Sequence, residues 1–313
     1  MKKTYVLILN FILLLLPQAG YAFPVMPLRH LFDITHAFLQ PTDVAVGKDN
    51  DIYVVDGVNN RIKVFNEKGD FKFSFGGKGT AQGTFDTPVG ITVDSNGQVY
   101  VADTGNRRVQ IFTSDGKVKN QIVLPSENVK RPRDPVDVAV EESLNRLYIS
   151  DNDNHQILVY TLPDHKLLSV LGSEGSDMQQ FWYPFLMDSD NAGAVFIVDV
   201  FNTRVQQWRD NSGLRSIGAW GVDLGQLYRP KGVCVDKNGL IFVSDSVLGV
   251  IQLFNSNGDF KAVLGTESRE VLKWKTPMGI TVDKQQRLYV VEMLPNRVRV
   301  YKILPDQMLE QKQ

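Results

Sequence analysis

An all-β fold is predicted: a six-bladed β-propeller of four-stranded antiparallel blades, closed by an N-terminal strand that joins the last blade. Three observations predict it. Proline recurs at Pro41, Pro88, Pro135, Pro184, Pro230 and Pro277, at intervals of 47, 47, 49, 46 and 47 residues, and a period in this range marks a repeat architecture. Each repeat holds short apolar stretches separated by turn residues, four per repeat, which is the arithmetic of a propeller blade. The last repeat stops after Tyr301 and Ile303, whereas Leu28 to Ile34 stands alone before the first proline. Pairing that orphan with the strand ending at Tyr301 closes the ring and leaves no open sheet edge.

Taken in chain order, the first residues read as an address. Lys2 and Lys3 precede an apolar run from Val6 to Leu16, and Gly20, Tyr21 and Ala22 supply a small-residue cleavage site. A signal peptide over 1–22, cut near Ala22, is the expectation. The run is shorter than the ~20 apolar residues of a spanning helix, and no cysteine follows it to carry a lipid. The expected location is therefore periplasmic or secreted, with no membrane span after cleavage. The propeller is expected over 23–303 and a polar tail over 304–313.

Within each repeat the proline opens an inner strand, as in Val44-Ala45-Val46, Ile91-Thr92-Val93 or Val233-Cys234-Val235; the fourth copy, Phe185-Leu186-Met187, diverges most. Turns such as Asn96-Gly97 and Asn238-Gly239 follow, suited to the positive φ of a tight hairpin. The second strand carries an aromatic (Tyr53, Tyr100, Tyr148, Phe196, Phe242, Tyr289) and, three residues on, an acid (Asp56, Asp103, Asp151, Asp199, Asp245, Glu292). The third ends in another aromatic: Phe65, Phe112, Tyr160, Trp208, Phe254 and Tyr301. A single blade leaves these rings exposed, and burying each is worth ~1.5–3 kcal/mol only when a neighbouring blade covers it.

Composition narrows the function. Loss of Lys2 and Lys3 with the signal takes the formal charge from −1 to −3; a nucleic-acid partner, which calls for a concentrated basic surface, is not expected. Cys234 is the only cysteine, so stability must come from the core rather than from disulfides. Cys234 lies between valines and is read as a small buried hydrophobe.

The second copy shows the motif nearly whole: Pro88-Val89-Gly90-Ile91, Tyr100-Val101-Ala102-Asp103, Asn106-Arg107-Arg108-Val109, Phe112 and Asp115-Gly116. In these residues, and in their recurrence from about Leu28 to Ile303, the chain resembles the NHL-repeat family. The resemblance implies a six-bladed propeller and little about activity, because such rings host many unrelated functions. Relatives include receptor-kinase sensor domains, RNA-binding domains, an amidating lyase and, more distantly, lactonase-like hydrolases. The amidating lyase depends on channel histidines and disulfides; His30, His36, His155 and His165 share no repeat position and lie on no inner strand.

Three groups of residues are candidates for chemistry. The recurrent Asp-x-x-Asn-x-Arg loop (Asp56, Asn59, Arg61; Asp103, Asn106, Arg108; Asp199, Asn202, Arg204) offers arginines for an anion. Its repetition favours a loop-fastening role instead, since a single ligand does not need the same contact all round a ring. An aromatic group is the expected contact surface: Trp182 and Tyr183 replace the polar Asp86 and Thr87, with Phe201, Arg204, Tyr228 and Arg229 on the same rim. Amphipathic rings there suit a protein partner or small ligand. Third, Asp43 and Asp137 stand where Gly90, Gly232 and Gly279 stand in other copies, as candidate Ca²⁺ ligands at the channel mouth, although calcium takes 6–8 oxygens and only two carboxylates are in view. No nucleophile, base and orienting group form a catalytic set, and no other cofactor is expected. The function expected is an extracytoplasmic, non-catalytic binding or scaffold protein; the alternative is a metal-dependent lyase or lactonase-like enzyme at the channel mouth.

Overall fold

The computed structural model describes residues 23–127, 129–209 and 213–305; the expected signal peptide, and the tail beyond Pro305, lie outside the described residues. The chain is built from strands. The first, β1 (Val25–Ile34), is followed by β2 (Pro41–Val46), β3 (Ile52–Asp56), β4 (Arg61–Phe65) and β5 (Phe71–Gly76). The next repeat gives β6 (Pro88–Val93), β7 (Val99–Asp103), β8 (Arg108–Phe112) and β9 (Val118–Val123). Then come β10 (Pro135–Glu141), β11 (Arg146–Asp151), β12 (Gln156–Thr161) and β13 (Leu167–Leu171), and after them β14 (Pro184–Ser189), β15 (Ala194–Asp199), β16 (Arg204–Arg209) and β17 (Gly213–Ile217). The last seven are β18 (Pro230–Val235), β19 (Ile241–Asp245), β20 (Val250–Phe254), β21 (Phe260–Gly265), β22 (Pro277–Val282), β23 (Arg287–Glu292) and β24 (Arg297–Ile303).

Every ruler proline begins an inner strand, a place where the missing N–H costs no ladder bond. Gly97 and Gly239 turn their hairpins at φ of +81° and +76°, a region where a side chain is penalised. Strands β2–β5, β6–β9, β10–β13 and β14–β17 each form a four-stranded sheet in sequential order.

The expected count of six blades is corrected here. The remaining strands are not two separate sheets but one eight-stranded sheet, in the order β18-β19-β20-β21-β1-β24-β23-β22, so the structure has four independent four-stranded blades beside it. The reason lies in β1, which is longer than the expected Leu28–Ile34. Its first residues, Val25 to Pro27, pair in parallel with Val263 to Gly265 of β21. From Leu28 onward it turns to β24 and pairs antiparallel, Leu28 opposite Ile303 and Ile34 opposite Val298, across a register break between His30 and Phe32. One strand thus hydrogen-bonds on both of its edges.

Apolar cover is exchanged between sheets. Tyr53, Val55, Ile62 and Val64 of the first four-stranded sheet pack with Phe85, Ile91, Val99 and Phe112 of the second. Tyr100, Val109 and Ile111 of the second pack in turn with Val138, Ile149 and Tyr160 of the third. Cys234 is free and buried. Among the described residues no helix is long and apolar enough to cross a membrane.

Candidate functional site at the loop rim

The loops that lead into each inner strand and those joining second to third strands meet on one rim, and the repeated acid fastens them. The carboxylate at the end of each second strand accepts an N–H from the preceding loop: Leu39 N to Asp56, Asp86 N to Asp103, Asp134 N to Asp151, Trp182 N to Asp199, Tyr228 N to Asp245 and Lys275 N to Glu292. The asparagine three residues on donates to the same acid, at 2.9 Å for Asn59 to Asp56 and 2.8 Å for Asn202 to Asp199. The arginines are engaged as well. Arg108 Nε donates to Asp103 at 2.7 Å, and its guanidinium also reaches the carbonyls of Ala81 and Thr84. Arg204 repeats this with Asp199 and the carbonyls of Asp177 and Gln180. In the first sheet the partner of Asp56 is Lys63, at 2.7 Å, rather than Arg61.

This carboxylate–amide–guanidinium unit is a loop lock, and its cost on removal is predictable. Asn202→Ala deletes the Nδ2 hydrogen bonds to Gly175 O and to the Asp199 carboxylate, worth about 1 kcal/mol for the first and about 1.5–3 kcal/mol for the second. A stability lowered by about 2–4 kcal/mol in urea denaturation, with an unchanged slope, is the expected result.

Above the lock lies the aromatic group. Trp182, Phe201 and Tyr228 are 47%, 45% and 38% exposed. Trp182 and Phe201 stand 5.5 Å apart between ring centroids, and Tyr183 meets Phe201 edge-on at 5.1 Å. The Arg229 guanidinium lies over the Phe201 ring at 4.6 Å, a cation–π arrangement. Five of the six residues expected there, Trp182, Tyr183, Phe201, Tyr228 and Arg229, therefore offer surface at one part of the rim. Tyr183 is half-buried, stacked edge-on against His155 at 4.7 Å with its N–H donated to His155 Nδ1. Arg204 sits beneath them with its guanidinium held by the loop lock.

The surroundings extend the patch in a way the sequence reading missed. Val58, Phe201, Val247 and Leu294 occupy one repeat position, two residues after the acid, and all are exposed. Leu39, Trp182 and Tyr228 share another, two residues before the proline, and are exposed too. In the second and third sheets the same two positions carry Asp86 and Gly105, then Arg133 and Asp153. One side of the rim is apolar and the other polar. Aligning the copies column by column would have shown this asymmetry.

The two carboxylates expected at the channel mouth lie deeper, buried among the inner strands. Asp43 Oδ2 accepts the Ile91 N–H at 3.0 Å, and Asp137 Oδ2 accepts the Met187 N–H at 2.6 Å. A third acid, Asp188, joins them and accepts from Val235 N at 2.9 Å. Burial pushes the Asp43 and Asp188 carboxyls up to about 7, and Asp137 well above the ordinary range, with neighbouring carboxylates adding to each shift. Asp43 and Asp188 line a cavity of only about 40 Å³. Among the described residues no group of three or more His, Cys, Asp or Glu side chains stands where it could hold a metal ion. The sequence signal for Asp188 was its place in the divergent fourth copy, where Ala45, Thr92, Ala139, Cys234 and Thr281 stand elsewhere. The opposite face has a larger cleft of about 510 Å³ between the second and third sheets, lined by Asp94, Lys119, Glu142 and His165 among others.

Blades covering one another around buried inner strands define a β-propeller protein. More particularly, the NHL repeat profile matches residues 38–65, 85–112 and 133–160 of the chain. No curated protein sequence matches the chain. Among solved structures it is similar to a streptogramin B lyase, with 12% identity, TM-score 0.64, and coverage of 88% of this chain and 98% of that one. It is similar as well to a gluconolactonase from Xanthomonas campestris, with 16% identity, TM-score 0.65, and coverage of 92% and 99%. A catalytically inactive virginiamycin B lyase from Staphylococcus aureus with quinupristin gives 14% identity, TM-score 0.60, and coverage of 86% and 82%. At these identities the likeness shows the fold.

Proposed function

We propose that this protein is an extracytoplasmic binding protein that uses the apolar side of its loop rim to hold a protein partner or small ligand. The observation that carries the reading is the exposed Phe201 ring, packed against the exposed Trp182 on one side and against the Arg229 guanidinium on another, above the loop lock. Exposed aromatic patches rimmed by polar groups mark interaction sites, and aromatic and arginine side chains dominate binding energy when covered. Export rests on the apolar run and cleavage site of the first 22 residues.

The test is capture of partners from the native host by tagged protein under mild crosslinking, with wild type beside a Trp182→Ala, Phe201→Ala variant. A stoichiometric partner is expected with wild type and at least tenfold less with the variant, because losing a hot-spot pair removes ~2 kcal/mol or more. Both side chains are half-exposed, so the melting temperature should hold. A large fall in melting temperature would assign the two rings to the core and remove the site.

A second reading, a metal-dependent lyase or lactonase-like enzyme at the channel mouth, draws on the fold shared with the lyases and the gluconolactonase. It requires ligands beyond Asp43 and Asp137, whose hydrogen bonds already go to backbone N–H groups of neighbouring strands. Stoichiometric calcium in protein purified without chelator would favour it over rim binding.

A further inference from the structure

Two cations stand at the channel mouth without a counter-charge. Lys231 is the second residue of β18, where the other inner strands carry Thr42, Val89, Val136, Phe185 and Met278. It is half-buried, and its ammonium lies 4.3 Å from the Phe185 ring centre. Burial, and then the nearby Arg229 guanidinium, push its pKa below the ordinary lysine range. Arg229 itself lies on Phe201. Neither charged group has a carboxylate or carbonyl partner within hydrogen-bond reach among the described residues. By contrast, Arg108, Arg133, Arg204 and Arg297 on the same rim each pair with an acid. A half-buried ammonium held near a guanidinium costs free energy unless an anion joins them. Like-charged groups held together with only ring faces beside them suit a partner that brings a negative charge.

The aromatic walls say what kind of anion fits. Lys231 lies on the Phe185 ring, Arg229 lies on the Phe201 ring, and Trp182 packs against Phe201, so a compact charge with an apolar remainder suits the place. Two cationic groups suit a carboxylate, which accepts a guanidinium fork on one side and a point-charge ammonium on the other. A phosphate would present a third oxygen to ring faces that cannot donate to it.

We propose that Arg229 and Lys231 form an anion subsite that takes the carboxylate of a ligand whose apolar body lies on Trp182 and Phe201. This rests on the rim-binding reading and adds the chemistry of what is bound. A free organic acid and an acidic side chain next to an aromatic one on a partner protein present the same group.

Two probes separate these sources: benzoate for the free acid, and a phenylalanyl-glutamate dipeptide blocked at both ends for the protein side chain. Calorimetric titration should show saturable binding of at least one. The tighter of the two identifies the source, while benzyl alcohol, which lacks the charge, should not saturate. Lys231→Met should weaken the bound probe by about tenfold or more, the loss expected for a charge-assisted contact. The same substitution should leave the melting temperature equal or higher, because it removes an unpaired half-buried charge and places the residue found at position 278. Failure of both probes to saturate, or affinity unchanged by Lys231→Met, would overturn the subsite. Partner capture that depends on Trp182 and Phe201 would survive that result, so the two readings fail separately.

Discussion

Raising the pH from 5 to 8 is expected to lower the melting temperature by on the order of 10 °C, contrary to the behaviour of a protein stabilised by surface ion pairs. The cause is the buried acid trio. Burial lifts the Asp43 carboxyl from 3.8 to about 7 and Asp188 likewise, and raises Asp137 further through its proximity to Asp43. Cys234, buried nearby, is held protonated by the same burial and by Asp188. A carboxyl whose folded pKa lies above its unfolded value binds its proton more tightly in the folded state. Its stabilising contribution is full below about pH 4 and is lost as pH rises through about 7. The rise of the Asp43 carboxyl from 3.8 to about 7 corresponds to about 4 kcal/mol in all, of which about 3 kcal/mol falls between pH 5 and 7; Asp137 and Asp188 add to it, and in a domain of this size each kcal/mol moves the melting temperature by about 2–4 °C. Scanning fluorimetry at matched ionic strength reads the effect. Asp43→Asn keeps the oxygen that accepts from Ile91 N and abolishes the charge, so it should match wild type only near pH 4, exceed it slightly at pH 5 and exceed it more at pH 8. A flat wild-type profile between these pH values would mean that the trio is solvated and that its burial has been misjudged.

The same trio shows how far sequence reading reached. The position of the strands was legible because prolines, Asn-Gly turns and paired aromatics recur with a fixed period, and each is a local, physically obligatory signal. The joining of two strand sets into one sheet was not, because it depends on where Val25 to Pro27 land in space, and no residue among them announces a parallel partner. The rim aromatics were legible as departures from the repeat: Trp182 and Tyr183 stand where Asp86 and Thr87 stand. Lys231 was an equal departure at its own position and went unread, since a lone lysine on a strand looks like solvation until its partners are known to be missing. Asp43 and Asp137 were singled out because they replace glycine, and the structure buries both against backbone N–H groups. Their neighbours on adjacent inner strands, which the sequence places 47 or more residues away, determine that they face backbone.

Substitution of Gly90 by alanine should destabilise the protein by about 3 kcal/mol or more, beyond the usual cost of a methyl group in a packed core. At one inner-strand position large and small residues are mixed: Asp43, Gly90, Asp137, Leu186, Gly232 and Gly279 all lie two residues after their proline. A Cβ on Gly90 would come within 2.0 Å of Asp137 Oδ1 and 2.7 Å of its Cα. One on Gly279 would meet Asp43 Oδ1 at 2.0 Å and its Cα at 2.7 Å. Each acid therefore occupies the space its neighbour's glycine leaves empty. A flexible side chain could swing aside, but a backbone Cα cannot move without shifting a whole inner strand. That distinction makes the double variant informative. Asp137→Gly combined with Gly90→Ala removes the clash with the carboxylate and keeps the clash with the backbone. If side-chain crowding dominates, the double variant recovers nearly all the loss seen in urea denaturation. Recovery of less than half would show that the inner strands are fixed by backbone contact around the channel, with the acids fitted into gaps that the glycines define.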